Sequence, residues 1–234
     1  MVTMAAELLD VGIYTVEEAA FYSRVPTQTM GRWVFGDRRG TPVVERQLSK
    51  ATERIVTFLD FIQAIHIRQI RTDTECRIPL NKIREAIEVA SRKYNVHYPL
   101  ARDHTTFFYG KEIVIALGSD EDEQKKEFVQ LTGKTKHHGM IGKIVKLYAK
   151  DLTFDPNGLV NGFKASNYDG VEIWMRPTLR FGEPIVSGCG YTARTLYEAT
   201  VVEGSYEQAA SAYGISIGQV EAAYRYIQSL SNVA

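Results

Sequence analysis

Two cysteines in 234 residues, Cys76 and Cys189, are all the thiol chemistry this chain has, and they form no CxxC pair. A disulfide framework and a cysteine zinc site are thereby excluded, which fits a reducing compartment. No stretch approaches the ~20 apolar residues that a membrane helix needs. No charged leader followed by an apolar run opens the chain. A cytoplasmic protein without a membrane partner is therefore expected. Metal-ligand spacing is missing as well: His66, His97, His104, His137 and His138 make no HExxH or related pattern. The glycine-rich stretch 182–190 lacks the GK[ST] ending of a phosphate loop. No Ser-His-Asp or Cys-His set can be nominated from spacing. The expectation is no cofactor, no metal and no enzymatic activity.

Net charge is also absent, with 28 basic and 28 acidic residues. A uniformly basic nucleic-acid binder is excluded, but the average conceals a gradient. Residues 24–102 carry 15 basic and 8 acidic side chains, whereas residues 177–234 carry 3 and 5. An anionic partner is expected at the front and a different one at the back.

What is present is mostly helical periodicity. Thr15 and Glu18 have capping-box spacing, in which a hydroxyl bonds the N3 amide and a carboxylate reaches back. Val16, Ala19, Ala20 and Tyr22 supply an apolar face. Arg24-Val25 forms a turn, and Pro26 suits the first position of a second helix, where its missing N–H costs nothing. Met30 and Trp33 continue inward. The loop Phe35-Gly36-Asp37-Arg38-Arg39-Gly40 is basic and of hairpin type. Further helices are expected at 58–71, 80–94 and 140–150. Hairpins are expected around Gly110-Lys111 and Asp169-Gly170. A shift of 190 residues lays Thr15-Val16-Glu17-Glu18-Ala19-Ala20 on Ser205-Tyr206-Glu207-Gln208-Ala209-Ala210, so 205–230 repeats the helix-turn-helix plan with a second capping box. This is shared supersecondary physics.

The first unit carries the sharper chemistry. The second helix of such a motif enters the major groove, and its early polar residues face base edges. Here these are Thr27, Gln28, Thr29 and Arg32, with Arg38 and Arg39 on a loop placed like a wing. Glutamine pairs with adenine and arginine with guanine or phosphate. The alternative is two ordinary packed helices. In the second unit Ser216, Gly218, Gln219 and Glu221 lack basic company, so core or interface is favoured there. Tyr213, Tyr224 and Tyr226 are the candidate surface for a homodimer.

These readings give a mainly helical α+β fold. It divides into a winged helix-turn-helix at 13–116, a helix and β-hairpin connecting region at 117–176, and a helix-turn-helix-like unit at 177–234. The segments Tyr14 to Ala20 through Trp33, Phe58-Leu59-Asp60-Phe61 and Pro99-Leu100-Ala101 resemble the MerR-like winged helix-turn-helix of a family of bacterial antitoxins. The segments Gly182-x-Pro184-Ile185-Val186-x-Gly188, Ser205 to Ala210 and Val220-x-Ala222-Ala223-x-x-Tyr226 resemble a small helical antitoxin-associated domain. Where that domain carries Thr-Arg after its glycine, this chain has Cys189-Gly190, and its nearest arginine is Arg194. Together these segments resemble a Vap-type antitoxin. The resemblance implies operator DNA and a PIN-type ribonuclease toxin as partners, and repression of a shared operon. An arginine can pair bidentately with a carboxylate cluster of the kind such a toxin uses for metal. Arg176, Arg180 and Arg194 are the candidates, whereas Arg225 is read as a brace within a helix. The competing reading is a MerR-like regulator that senses a small ligand and has no toxin.

Overall fold

The computed structural model describes residues 12–38, 40–46, 54–74, 77–103, 106–109, 112–117, 127–131 and 151–231. The architecture is mainly helical α+β with small antiparallel sheets. The front begins with β1 (Gly12–Tyr14), α1 (Val16–Ser23) and α2 (Thr27–Phe35), then β2 (Val56–Thr57), α3 (Phe58–Thr72) and α4 (Leu80–Tyr94). β1 and β2 pair antiparallel, which closes the helix-turn-helix against the base of α3. A three-stranded sheet follows, in the order β3 (Thr106–Tyr109), β4 (Glu112–Leu117), β5 (Glu127–Gln130). The back sheet runs β6 (Leu152–Phe154), β7 (Val160–Tyr168), β8 (Val171–Met175), β9 (Ile185–Val186). Three helices end the chain: α5 (Ala193–Glu203), α6 (Tyr206–Tyr213) and α7 (Ile217–Ser231).

Local chemistry explains the front boundaries. The Thr15 hydroxyl accepts from the Glu18 amide at 3.1 Å, and the Glu18 carboxylate accepts from the Thr15 amide at 2.8 Å. Arg24 ends α1 in the left-handed region at φ 56°. Pro26 differs from expectation. It is the N-cap of α2 rather than its first helical residue, because its ψ of 137° is extended while its carbonyl already accepts from Met30. The helix at 80–94 forms as its spacing predicts. The turn at 110–111 lies outside the described residues, although Tyr109 stands opposite Glu112 across it. The expected helix at 140–150 also lies outside them.

One buried cluster runs from Tyr14 to Leu230. It joins Met30 and Trp33 of α2, Phe58 and Phe61 of α3, Ile173 and Met175 of β8, and Tyr226 and Ile227 of α7. The sheet, too, crosses the boundary expected near residue 177, since Trp174 pairs with Ile185. A satellite cluster of Ala199, Ala209, Ala210 and Val220 holds α5–α7 together.

The start of α3 is fixed by a buried ionic network. Asp60, 1% exposed, accepts from the Thr57 amide at 3.1 Å and from Arg46 Nε at 3.3 Å. Arg46 also donates to the Ile55 carbonyl and lies 4.4 Å over the Phe35 ring. Burial pushes the Asp60 carboxyl up, against the pull of Thr57 and Arg46. Arg46→Met should therefore cost about 2 kcal/mol at neutral pH, the loss of one buried charge-assisted bond. A carboxyl with a raised folded-state pKa loses stability as pH rises through that pKa. The deficit of the variant should accordingly shrink on acidification, which urea unfolding at neutral and acidic pH measures.

Candidate nucleic-acid interface

α2 presents two faces. Met30, Gly31, Trp33 and Val34 are buried, while Thr27, Gln28 and Arg32 are exposed and Thr29 is half-buried. The expected reading residues thus share one open face. Arg32 donates to the Thr29 hydroxyl at 3.3 Å, which aims the guanidinium along the helix. The loop after α2 is a tight hairpin. The amide of Asp37 donates to the Gly40 carbonyl at 3.0 Å, and that of Gly40 to the Asp37 carbonyl at 3.2 Å. Arg38 stands exposed at its tip. Arg39 lies outside the described residues.

Between α2 and the hairpin lies a groove of about 320 Å³. Thr29 and Arg32 form one wall, Asp37, Gly40 and Thr41 a second. The third wall brings in Arg71 from the last turn of α3 and Arg84 from α4. Arg84 Nε donates to the Pro42 carbonyl at 3.4 Å, so it is braced against the hairpin. Arg71 and Arg84 belong to the basic surplus of residues 24–102, and no local spacing marks either as a site residue. Helical spacing places each on a polar face; only tertiary packing brings both to the groove that Arg32 lines. Three guanidinium groups from three helices, with Arg38 beside them, make an anionophilic surface suited to a phosphate backbone.

The candidate arginines at the back are not brought together. Arg176 stacks 4.7 Å over the Trp174 ring, with its Nε buried and without a hydrogen bond. Arg180 is exposed. Arg194 lies 6.0 Å over the Phe21 ring, so it is a seam residue against α1. Arg225 pairs with Asp169 at 2.9 Å and covers Tyr168 at 4.7 Å, a brace as read. Arg180 belongs to an unusual turn: Arg180, Phe181 and Gly182 are all left-handed, with φ of 46°, 52° and 81°. Each non-glycine residue there costs roughly 1–2 kcal/mol. The turn is held by the buried Tyr14 hydroxyl, which donates to the Gly182 carbonyl at 2.7 Å.

One member of the expected tyrosine surface is corrected: Tyr226 belongs to the core, whereas Tyr213 and Tyr224 are half-buried. Tyr226 is 2% exposed, and burial holds its phenol well above the ordinary range. Tyr224 stacks on Tyr197 with centroids 5.1 Å apart, and Tyr213 meets Tyr191 edge-on at 5.0 Å. These rings pack the back helices internally. The polar start of α7 is likewise engaged: Ser216 and Gln219 cap each other, and Gln219 Nε2 donates to the Ser187 carbonyl at 2.9 Å. That reciprocal box was not anticipated. At the expected box, Ser205 accepts from the Gln208 amide at 3.1 Å.

A second cavity, about 570 Å³ and mostly apolar, opens where α1 meets α7. Ala20, Phe21, Val25, Pro26 and Leu230 line it, with Glu17, Glu18, Arg24 and Arg194 at its edges. Elsewhere Ser91, His97 and Glu45 meet, although no spacing foretold it. Ser91 Oγ and His97 Nδ1 both reach the same Glu45 oxygen, at 2.8 and 2.6 Å. Glu45 also accepts from the Tyr98 amide at 3.0 Å. A relay needs serine and carboxylate on opposite ring nitrogens; here they share one, which makes a brace. His66 is half-buried, bonds the Leu100 carbonyl through Nδ1, and has its pKa lowered by desolvation. Burial pushes the Cys189 thiol up, which disfavours the thiolate. His104, His137, His138 and Cys76 lie outside the described residues. Among the described residues no helix is long and apolar enough to cross a membrane.

No family model matches the chain. A Mycobacterium tuberculosis protein named "Putative antitoxin VapB45" is 20% identical over 227 residues, which cover 90% of this chain and 92% of that protein. The X-ray crystal structure of Rv2018 from Mycobacterium tuberculosis superposes with a TM-score of 0.62 at 17% identity, over 92% of this chain and 98% of that one. The fold is thus shared along nearly the whole length of both chains, and the chain is similar, at low identity, to a protein named as a Vap-type antitoxin.

Proposed function

We propose that the chain is a two-ended antitoxin without catalytic activity. The front holds operator DNA and represses the operon; the back binds and neutralises a PIN-type ribonuclease toxin. The observation that carries the DNA half is the convergence of Arg32, Arg71 and Arg84 on one groove beside the exposed face of the recognition helix. The back half is supported by the distribution of apolar surface. Leu179, Phe181, Val201, Val202 and Ile217, the exposed large hydrophobics among the described residues, all follow Met175. Exposed apolar groups in a weakly charged segment suit a protein contact. Two copies would read a pseudo-palindrome with half-sites about 34–36 Å apart.

The test titrates the full chain against the DNA upstream of its own reading frame at several salt concentrations. Four arginines on phosphate predict a log–log slope of about −3 to −4. A chain that binds this fragment no better than random duplex would end the reading. The competing ligand-sensing regulator draws on the 570 Å³ cavity, whose size suits a small molecule. Copurification with the product of the adjacent reading frame favours the antitoxin; a bound small molecule favours the regulator.

A further inference from the structure

α2 carries cations on both flanks of its open face. At about 3.6 residues per turn, the exposed Gln28 and Arg32 fall at the centre of that face. Thr29 and Trp33 lie to one side, the side of the groove that Arg71 and Arg84 enter. Gly31 and Phe35 lie to the other, and there the fold places Arg54. Its Cζ stands 4.9 Å over the Phe35 ring. A Cβ added at Gly31 would stand 3.1 Å from Arg54 Nη2, so the guanidinium rests against the bare backbone of the helix. Glycine inside a helix weakens it; here it makes room for a cation.

Arg54 differs from Arg46, which shares the Phe35 ring. Arg46 is half-buried and gives its donors to Asp60 and the Ile55 carbonyl. Arg54 is exposed, and among the described residues no hydrogen bond or ion pair engages it. A helix is about 10–12 Å across with its side chains, and the major groove is about 12 Å wide. A helix lying in that groove therefore meets one phosphate strand on each flank. We propose that Arg54 binds the second strand: Arg71 and Arg84 hold the backbone on the Thr29 side of α2, and Arg54 holds the opposite backbone on the Gly31 side. Contacts to both strands fix the depth and roll of the helix, which decides what Gln28 can reach. The inference rests on the operator-binding reading above and adds a strand assignment to it.

The test titrates the full chain against the DNA upstream of its own reading frame, with each strand labelled in turn and its phosphates ethylated at random. Ethylation removes a phosphate's charge and blocks binding wherever a cation must approach. In the wild type the blocking phosphates should lie on both strands of a half-site. Arg54→Gln keeps an aliphatic stem over Gly31 and Phe35 but removes the charge. Arg54 is a fifth cation beside the four counted above, so its loss should weaken binding roughly tenfold at 0.1 M salt and flatten the log–log slope by about 0.9 per chain. Arg54→Gln should also abolish blocking on one strand of the half-site, and Arg84→Gln on the other. Arg54→Lys should keep the wild-type slope, since the slope counts charges. The melting of Arg54→Gln should match the wild type, because the side chain is exposed. An Arg54→Gln chain with wild-type slope and both sets of blocking phosphates overturns the inference and leaves Arg54 as a cover for Phe35, with operator binding intact. Loss of the same strand in both glutamine variants also overturns it, and so does a slope that Arg54→Lys fails to keep. A wild type that prefers this DNA no more than random duplex overturns operator binding itself, and the strand assignment with it.

Discussion

Replacing Arg32, Arg71 and Arg84 together with alanine is expected to weaken operator binding by roughly 10²–10³-fold at 0.1 M salt. Each cation on a phosphate displaces about 0.9 of a condensed counterion, which at that concentration is worth nearly tenfold in affinity. Three such contacts multiply to the quoted range. The same variant should flatten the salt dependence by about 2.7 units of log–log slope. The single variants separate the roles. Arg71 and Arg84 sit across the groove from the recognition helix, so Arg71→Ala and Arg84→Ala should weaken all duplexes alike. Gln28 is exposed on that helix, so Gln28→Ala should relax discrimination at one base pair by about 1–3 kcal/mol. Arg225 is the control. It is a basic residue far along the chain, already paired with Asp169, and Arg225→Ala should leave the slope unaltered. A triple variant with wild-type slope would falsify the assignment of phosphate to this groove.

Helix α1, α2 and their turn were legible because every determinant is local: a cap three residues from its partner, an apolar face at helical spacing, and a turn before proline. The same holds for α4 and for the Asp169-Gly170 turn, where Gly170 donates to Asn167 Oδ1 at 3.0 Å. What stayed hidden depends on contacts distant in sequence. Arg71 and Arg32 belong to one site only because α3 packs on α2. Tyr226 reads as surface because tyrosine has a polar tip, yet its ring is buried in the main core cluster. Ser91, His97 and Glu45 meet across 52 residues of chain, beyond the reach of any spacing rule. β6 and β9 are three and two residues long, too short to show alternation. The division near residue 177 has a similar origin. Composition and charge change there, but the hydrogen bonds of β8 to β9 and the packing of α7 on α1 cross it. Charge is a property of surface, whereas a folding unit is defined by its core.

Gly182→Ala is expected to cost about 3 kcal/mol and to lower the melting temperature by roughly 6–12 °C in a chain of this length. Two costs combine. At φ 81° an alanine Cβ meets the following carbonyl, a penalty of roughly 1–2 kcal/mol. The added carbon would also stand 2.3 Å from the Tyr14 hydroxyl and 2.8 Å from Ile13 Cδ1. Tyr14 is packed at 5.1 Å against Phe61, so it cannot retreat without disturbing the core of the front. Either the ring moves or the buried hydrogen bond to the Gly182 carbonyl breaks, which costs about 1–3 kcal/mol more. Gly204→Ala isolates the first cost. Gly204 has φ 79° at the end of α5, and nothing lies within 4 Å of its Cβ position, so about 1 kcal/mol and a few degrees should be lost. Tyr14→Phe isolates the second, since it removes the hydroxyl that both makes the bond and meets the new carbon. In the double variant Tyr14→Phe/Gly182→Ala the hydrogen bond can be lost only once and the closest contact is gone. The combined loss should fall short of the sum of the single losses by about 1 kcal/mol. Strict additivity in thermal or urea unfolding would mean that Tyr14 does not clamp the turn. The link between front and back would then rest on the other contacts that join them, among them Phe61 against Phe163, Arg102 on the Asn157 carbonyl and the packing of α7.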